Sequence, residues 1–185
     1  MVKKKFIKRV LFLDKRVESV KTFNSFFIFE LMDKKVFTVD EIKRKLEQYC
    51  VYQDRCHKEV EQKIKEYNLI PEARELILLS LMQDNFLNEE RFSKSFARGK
   101  FRIKKWGKQR IVRELKFRNI SAYNIKTALK EISDEDYMTT LYSLISKKNR
   151  LVTETNPFKR KKKIADYLLY RGYESNLVYE ALKTI

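Results

Sequence analysis

The 185-residue chain is poor in glycine, proline and cysteine, and each shortage excludes a class of protein. Three glycines and two prolines cannot supply the turns that a sheet-rich domain needs every 8 to 12 residues or so. Gly99, Gly107 and Gly172 stand apart, whereas a phosphate-binding loop needs clustered glycines. Two cysteines do not form a disulfide framework and indicate a reducing environment. The composition therefore predicts an all-α protein.

Long apolar runs are also missing. The run 10–13 is interrupted by Asp14, Lys15 and Arg16, and the apolar patch at 23–32 is about ten residues long and contains polar residues. A membrane-spanning helix needs roughly 20 apolar residues, and a signal peptide has an uninterrupted apolar stretch. We therefore expect a cytoplasmic protein that does not bind membranes.

Positive charge is abundant and unevenly distributed. The formal net charge is +17. Residues 91–118 contain twelve Lys and Arg with Glu114 as the one acid, and residues 147–163 contain eight with Glu154 as the one acid. A third basic segment is 1–21. A surface without a special role mixes both signs, so this distribution predicts an anionic partner.

An internal repeat organises the chain. The residues from Ile111 align without a gap with those from Ile164, 53 positions later, and a weaker copy begins at Val60. Each copy follows the pattern of helix, turn and helix. The turn residues are Asn68, Asn119 and Gly172, the types that best tolerate the left-handed conformation at the end of a helix.

Another amphipathic segment precedes each helix pair. These segments are 39–55, 88–105 and 134–148. The prediction is an all-α protein of three tandem three-helix repeats that form an elongated, curved array. The predicted boundaries are an N-terminal extension at 1–37 and repeats at 38–84, 85–132 and 133–185. Residues 1–31 are either a lineage-specific extension or an over-extended start with Met32 as the initiator, and their mixed composition favours the second.

The first helix of the middle repeat carries the clearest pattern. Asn88 is predicted to cap it, and Ser121 to cap the third helix of that repeat. The predicted apolar stripe consists of Phe92, Phe96, Gly99, Ile103 and Trp106. A basic stripe runs beside it and continues onto the next helix. The predicted contacts with the anionic partner are Arg91, Lys94, Arg98, Lys100, Arg102, Lys104, Lys105, Trp106, Lys108, Arg110, Arg113 and Lys116.

Two of these assignments have alternatives. Trp106 could stack on a base, but its place on the apolar stripe favours core packing. A second basic patch is predicted at Lys159, Arg160, Lys161, Lys162 and Lys163. This patch lies at the predicted start of a helix, where the helix dipole makes positive charge unfavourable. That cost indicates that the patch has a function, such as binding an anion. A localisation-type basic run is the alternative.

Enzymatic and metal sites are poorly supported. The one histidine, His57, lies beside Cys56 and near Cys50, but a zinc site needs about four ligands. Cys56 lacks an identifiable base. The acidic runs 89–90 and 134–136 begin predicted helices, where the helix dipole accounts for them. We expect a protein that is not an enzyme and has no metal or cofactor.

Three motifs resemble one family. The segments FLNEERFSKSFARGKFR (86–102) and WGKQRIVREL (106–115) resemble the middle-repeat signature of the RecX family of bacterial recombination regulators. LLYRGY (168–173) is similar to the family's third repeat, and YCVYQDRCHKEV (49–60) to a diverged first repeat. The resemblance covers about residues 40–185. Ser93 stands where the family often has alanine, and Asn119 where it more commonly has glycine.

The resemblance implies a fold and a function. The family's fold is three tandem three-helix repeats. Its members bind the RecA recombinase filament on single-stranded DNA, limit filament growth, damp ATP hydrolysis and strand exchange, and catalyse no reaction. We therefore expect RecA and single-stranded DNA as partners of a monomeric protein. The alternative is a nucleic-acid-binding helical protein without a recombinase partner. The middle motif favours the regulator.

Overall fold

The computed structural model describes residues 37–183, and these residues form nine α-helices and no strand. The expected extension and Met32 lie outside the described residues, apart from Phe37. A short 3-10 helix, Lys65–Tyr67, follows the second α-helix. The α-helices are α1 (Val39–Tyr52), α2 (His57–Ile64), α3 (Pro71–Gln83), α4 (Glu89–Lys104), α5 (Lys108–Phe117), α6 (Ala122–Leu129), α7 (Asp134–Leu151), α8 (Pro157–Arg171) and α9 (Ser175–Leu182).

The helices pack in three groups of three. Each helix contacts both others of its group: α1 to α3, α4 to α6, and α7 to α9. An amphipathic helix must bury its apolar stripe against a neighbour, and three short helices do so around a shared centre. The all-α class and the tandem three-helix repeats are confirmed.

Equivalent positions of the second and third groups have equivalent environments. Ile111 and Ile164 are both fully buried, as are Leu115 and Leu168. Phe117 and Tyr170, which the alignment also pairs, are 70% and 72% exposed. Repeated sequence therefore specifies repeated packing, on the outer as well as the inner face.

The predicted turn residues end helical segments in the left-handed conformation. The φ angles of Asn68, Asn119 and Gly172 are 50°, 61° and 87°. Asn and Gly adopt this region at the smallest steric cost, because Gly has no Cβ and the Asn side chain is short and polar. The prediction of these three turns is confirmed.

The two predicted caps are also confirmed. The Asn88 side chain accepts a hydrogen bond from the backbone N–H of Arg91, and the Ser121 side chain accepts one from that of Asn124. Each satisfies a donor that the first turn of a helix leaves without a partner.

The predicted apolar stripe on α4 is wrong in part. Ile103 is 76% exposed, and α4 ends at Lys104, so Trp106 follows the helix instead of lying on it. The buried residues of α4 are Phe92, Ser93, Ala97 and Phe101. α4 packs on α6, where the Ser93 hydroxyl donates to the Asn124 carbonyl oxygen at 3.4 Å, and the small side chains of Ser93 and Ala97 are fully buried. Periodicity alone gives the larger residues more weight.

The second and third groups share a continuous core. Phe101 of α4 packs on Tyr137 of α7, with ring centroids 5.9 Å apart, and Tyr137 stacks on Tyr173 at 5.0 Å. The Tyr137 hydroxyl accepts a hydrogen bond from the backbone N–H of Lys108 and donates one to the Glu174 carboxylate. These contacts fix α5 against the third repeat.

Side-chain ion pairs join the first group to the second. The Arg91 guanidinium lies 2.8 Å from the Asp54 carboxylate, and the Arg118 guanidinium 3.4 Å from that of Glu59. The Lys58 ammonium donates to the Phe117 carbonyl oxygen at 2.6 Å. Polar side chains therefore make part of this junction, and the fully buried Cys56 adds an apolar contact with the core of the second repeat.

Candidate nucleic-acid interface

Helices α4 and α5 carry the predicted contact residues, which we call the α4–α5 basic surface. Within residues 37–183, seven of its eleven cations form no ion pair with a carboxylate. Five of the seven are exposed, and Lys100 and Arg110 are partly buried. The seven are Lys100, Arg102, Lys104, Lys105, Arg110, Arg113 and Lys116.

The other four predicted cations have carboxylate partners. Besides Arg91 with Asp54, Lys94 pairs with Glu90 at 2.7 Å. Arg98 pairs with Glu131 at 2.8 Å, and Lys108 with Asp134 at 2.7 Å. The charge that these four can offer to a ligand is therefore partly neutralised.

Two of these pairs shift a pKa. The hydrogen bond from Lys108 lowers the pKa of Asp134, and the hydrogen bond to Glu90 raises the pKa of Lys94. Both pairs lie in solvent, where an ion pair is worth about 0–1 kcal/mol. A phosphate can therefore take the place of either carboxylate at little cost.

The unpaired cations gather in two places. Lys100 and Lys104 line a groove beside Gly99, at the junction of the first two repeats. Arg113 and Lys116 line a second groove on α5 that includes Lys108.

Trp106 is covered by cations and by core residues. The Arg110 guanidinium lies 4.2 Å from the centroid of the Trp106 ring, and the Lys100 ammonium lies 5.2 Å from it. The ring also packs against Phe96, with centroids 6.5 Å apart. Trp106 is partly buried against the core, which agrees with the core packing that we favoured. Its ring therefore has little free area on which a base could stack.

The third repeat contributes residues that the sequence did not indicate. Arg110 lies 5.2 Å from the ring centroid of Tyr170, and the Arg171 guanidinium donates to the Lys104 carbonyl oxygen at 2.6 Å. The turn between α4 and α5, which carries Lys105 in the left-handed conformation, is therefore fixed from outside its own repeat. The internal repeat pairs Arg171 with Arg118, and this was the one sequence feature that could have drawn attention to Arg171.

The second predicted patch lies in the first turns of α8, but its members differ. Arg160 donates to the Asn149 side chain at 2.7 Å, and Lys163 pairs with Glu154 at 3.0 Å. The hydrogen bond from Lys163 lowers the pKa of Glu154. Lys159 and Lys162 are exposed, with Lys161 partly buried, so these three remain available to an anion.

The cysteines do not form a reactive site. Cys50 and Cys56 are buried, and burial raises the pKa of both thiols. Because the thiolate is the nucleophilic form, a buried thiol with a raised pKa is unfavourable for nucleophilic chemistry at Cys56. His57 begins α2 and lies 3.3 Å from Glu61.

Residues 37–183 hold no cluster of three or more His, Cys, Asp or Glu side chains that could bind a metal ion. The acidic runs 89–90 and 134–136 begin α4 and α7, as predicted. None of the helices in this range combines the length and the apolar character that crossing a bilayer requires.

Comparison with known proteins gives a consistent result. Two family models match: RecX, second three-helix domain, over residues 88–129, and RecX, third three-helix domain, over residues 134–182. Regulatory protein RecX from Lactobacillus gasseri is 29% identical to this chain, and the match covers 56% of this chain and 40% of that protein. The one from Clostridium acetobutylicum is 30% identical over 71% of this chain and 62% of that protein. The chain thus spans about half the length of these relatives.

Solved structures share the fold. A crystal structure of regulatory protein RecX has a TM-score of 0.69 at 23% identity, covering 80% of this chain and 74% of that one. The crystal structure of RecX from Lactobacillus salivarius has a TM-score of 0.70 at 19% identity, covering 79% of this chain and 95% of that one. These similarities support the arrangement of helices.

Proposed function

Because the chain belongs to the RecX family, we propose that it binds the RecA filament on single-stranded DNA and inhibits ATP hydrolysis, filament extension and strand exchange. Its role would then be to regulate recombinational DNA repair. The protein does so by binding, without catalysing a reaction. RecA and single-stranded DNA are both its partners.

The observation that carries this proposal is the set of unpaired cations on the α4–α5 basic surface. Exposed cations that form no ion pair keep their charge for a ligand, and Arg102, Arg113 and Lys116 are of this kind among the described residues. Binding to a phosphate backbone releases condensed counterions, so affinity comes from the number of such contacts. The groove of a nucleoprotein filament presents both phosphates and acidic protein surface to these cations.

The test is the single-stranded-DNA-dependent ATPase of RecA from the same organism, with this protein added at concentrations too low to coat the DNA. We expect inhibition at such concentrations. Reversing Arg102, Arg113 and Lys116 to Glu together should abolish it. Arg98 is avoided because Arg98→Glu would place a second carboxylate against Glu131.

A matched control keeps the same net charge. Arg44, Lys65 and Lys147 are exposed and lie outside the α4–α5 basic surface, so reversing these three to Glu changes the total charge equally. The control variant should inhibit like the wild type. Equal loss in both triples would show that only net charge matters.

The plain nucleic-acid-binding protein is the second candidate, because a basic surface alone would suit it equally well. If inhibition appears only when the DNA is saturated, competition for DNA explains it and the recombinase partner is ruled out. No inhibition at any concentration would overturn the regulatory role itself.

A further inference from the structure

A groove of about 280 Å³ lies between the first and second repeats. One wall comes from α4 and includes Phe96, Gly99 and Ile103. The opposite wall includes Asp54, which follows α1, and Glu59 of α2. Lys100 and Lys104 of its lining are among the predicted contacts, but neither that prediction nor the family comparison assigns a role to the groove itself.

Gly99, one of the lining residues, has no packing reason to be glycine. A Cβ at this position would have no atom within 4 Å. The residue also lacks the positive φ that requires glycine elsewhere in the chain. Glycine inside a helix destabilises the helix relative to alanine. We therefore attribute the glycine at position 99 to the open space that it leaves in the groove.

The groove is positively charged. Its two acids are already paired, Asp54 with Arg91 and Glu59 with Arg118. Lys100 and Lys104 have no carboxylate partner among the described residues. An occupant of this groove therefore gains by carrying negative charge.

The groove also offers an apolar wall. Ile103 is 76% exposed although it is a large aliphatic residue. The Phe96 ring carries two cations, with the Lys100 ammonium 5.1 Å and the Arg118 guanidinium 5.0 Å from its centroid. A ligand with a flat ring and an attached anionic group would complement both the apolar wall and the positive charge of the groove. An aromatic side chain of a protein partner would fill the apolar part but leave the two lysines without a counter-charge.

We propose that this groove binds one unstacked base of single-stranded nucleic acid against Ile103 and the Phe96 ring. The Lys100 side chain then leaves the Phe96 ring and, together with Lys104, contacts the flanking phosphates. The proposal rests on the nucleic-acid part of the proposed function and deepens it by giving that ligand a subsite. Stacking contacts of this kind tolerate any base, so the groove selects unpaired strands and not a sequence.

The test measures binding of this protein, without RecA, to fluorescently labelled oligothymidylate and to an abasic oligonucleotide of equal length. Fluorescence anisotropy gives both affinities. The wild type should bind the abasic strand about tenfold more weakly, the size of one lost stacking contact. Gly99→Leu fills the groove and should lose about tenfold on the intact strand while binding the abasic strand like the wild type. Gly99→Ala adds one methyl group to the groove and should weaken binding of the intact strand by about two- to threefold, between the wild type and Gly99→Leu, without changing binding of the abasic strand.

A second variant protects the test against misfolding. Ile103→Ala removes part of the exposed wall without touching the core, and it should lower the preference for the intact strand. Circular dichroism confirms that each variant is folded.

The possible outcomes separate the two proposals. An equal preference for the intact strand in wild type, Gly99→Leu and Ile103→Ala would overturn the base subsite while leaving DNA binding intact. Failure of the wild type to bind either strand would instead overturn the nucleic-acid part of the proposed function. Normal DNA binding by Gly99→Leu with loss of RecA inhibition would show that a protein, not a base, occupies the groove.

Discussion

The backbones of Gly107 and Gly172 lie directly against each other. A Cβ on Gly107 would be 2.1 Å from the carbonyl oxygen of Gly172, closer than any real contact allows. The Gly107 N–H donates to the Arg171 carbonyl oxygen at 2.8 Å, and the Gln109 N–H donates to that of Gly172 at 3.1 Å. The second and third repeats are thus joined main chain to main chain.

Gly107→Ala should destabilise the protein by about 1–3 kcal/mol, because backbone atoms must move to admit the new methyl group. Gly99→Ala is the matched control, since its methyl group enters open space. That variant should gain about 1 kcal/mol from helix propensity. Urea unfolding of both variants measures the difference. Equal stabilities would contradict the close approach at Gly107.

Tyr137→Phe should destabilise the protein by about 1–3 kcal/mol, because the Lys108 N–H and the Glu174 carboxylate both lose a partner. Tyr173→Phe is the control. The Tyr173 hydroxyl is buried and has no hydrogen-bond partner among the described residues, so its removal should be neutral or stabilising. Thermal unfolding distinguishes the two. A greater loss in Tyr173→Phe would contradict the assigned hydrogen bonds.

Stability should fall above about pH 10. Burial raises the pKa of Tyr137 and Tyr173 above the ordinary value of 10.0. Below pH 10 the hydroxyls are neutral in both states, and the full stability is present. Above it the unfolded chain loses these protons first, so each tyrosine costs about 1.4 kcal/mol per pH unit until its folded pKa is reached.

Unfolding by urea between pH 10 and 11 checks this. In Tyr173→Phe the free energy of unfolding should fall less steeply with pH than in the wild type, by the contribution of one tyrosine. All other titrating groups are the same in the two proteins. An identical pH dependence would show that the Tyr173 hydroxyl ionises freely in the folded state.

Salt should weaken DNA binding in proportion to the number of phosphate contacts. Replacing Arg102, Arg113 and Lys116 by Ala should make the slope of log affinity against log salt shallower by about 2, since each single-strand contact contributes about 0.7. Replacing Arg44, Lys65 and Lys147 by Ala should leave the slope unchanged. Oligothymidylate titrations at several salt concentrations measure it.

The repeat architecture could be predicted because its signals are local. Asn119 and Gly172 end helices through their own conformational preferences, and Ser121 caps one with its own side chain. The face of α4 that is buried could not be predicted in the same way. It depends on how closely α6 approaches Ser93 and Ala97, which is a tertiary contact.

The candidate site was only partly visible for the same reason. Periodicity placed Arg98 on a basic stripe but could not show that Glu131, 33 residues later, pairs with it. Tyr170 reaches Arg110 from another repeat. Local sequence thus predicted where the charge lies, and tertiary packing within and between repeats determines how many of these cations are paired with carboxylates.

The two junctions of the array differ in stiffness. Gly107 and Gly172 are in close backbone contact beside a shared aromatic core, so we expect the second and third repeats to move together. The first junction combines the buried Cys56 side chain with partly exposed ion pairs such as Asp54 with Arg91, which contribute little and weaken in salt. We therefore expect the angle between repeats to vary more at the first junction than at the second. The groove beside Gly99 lies at the first junction, so its width should change with that angle.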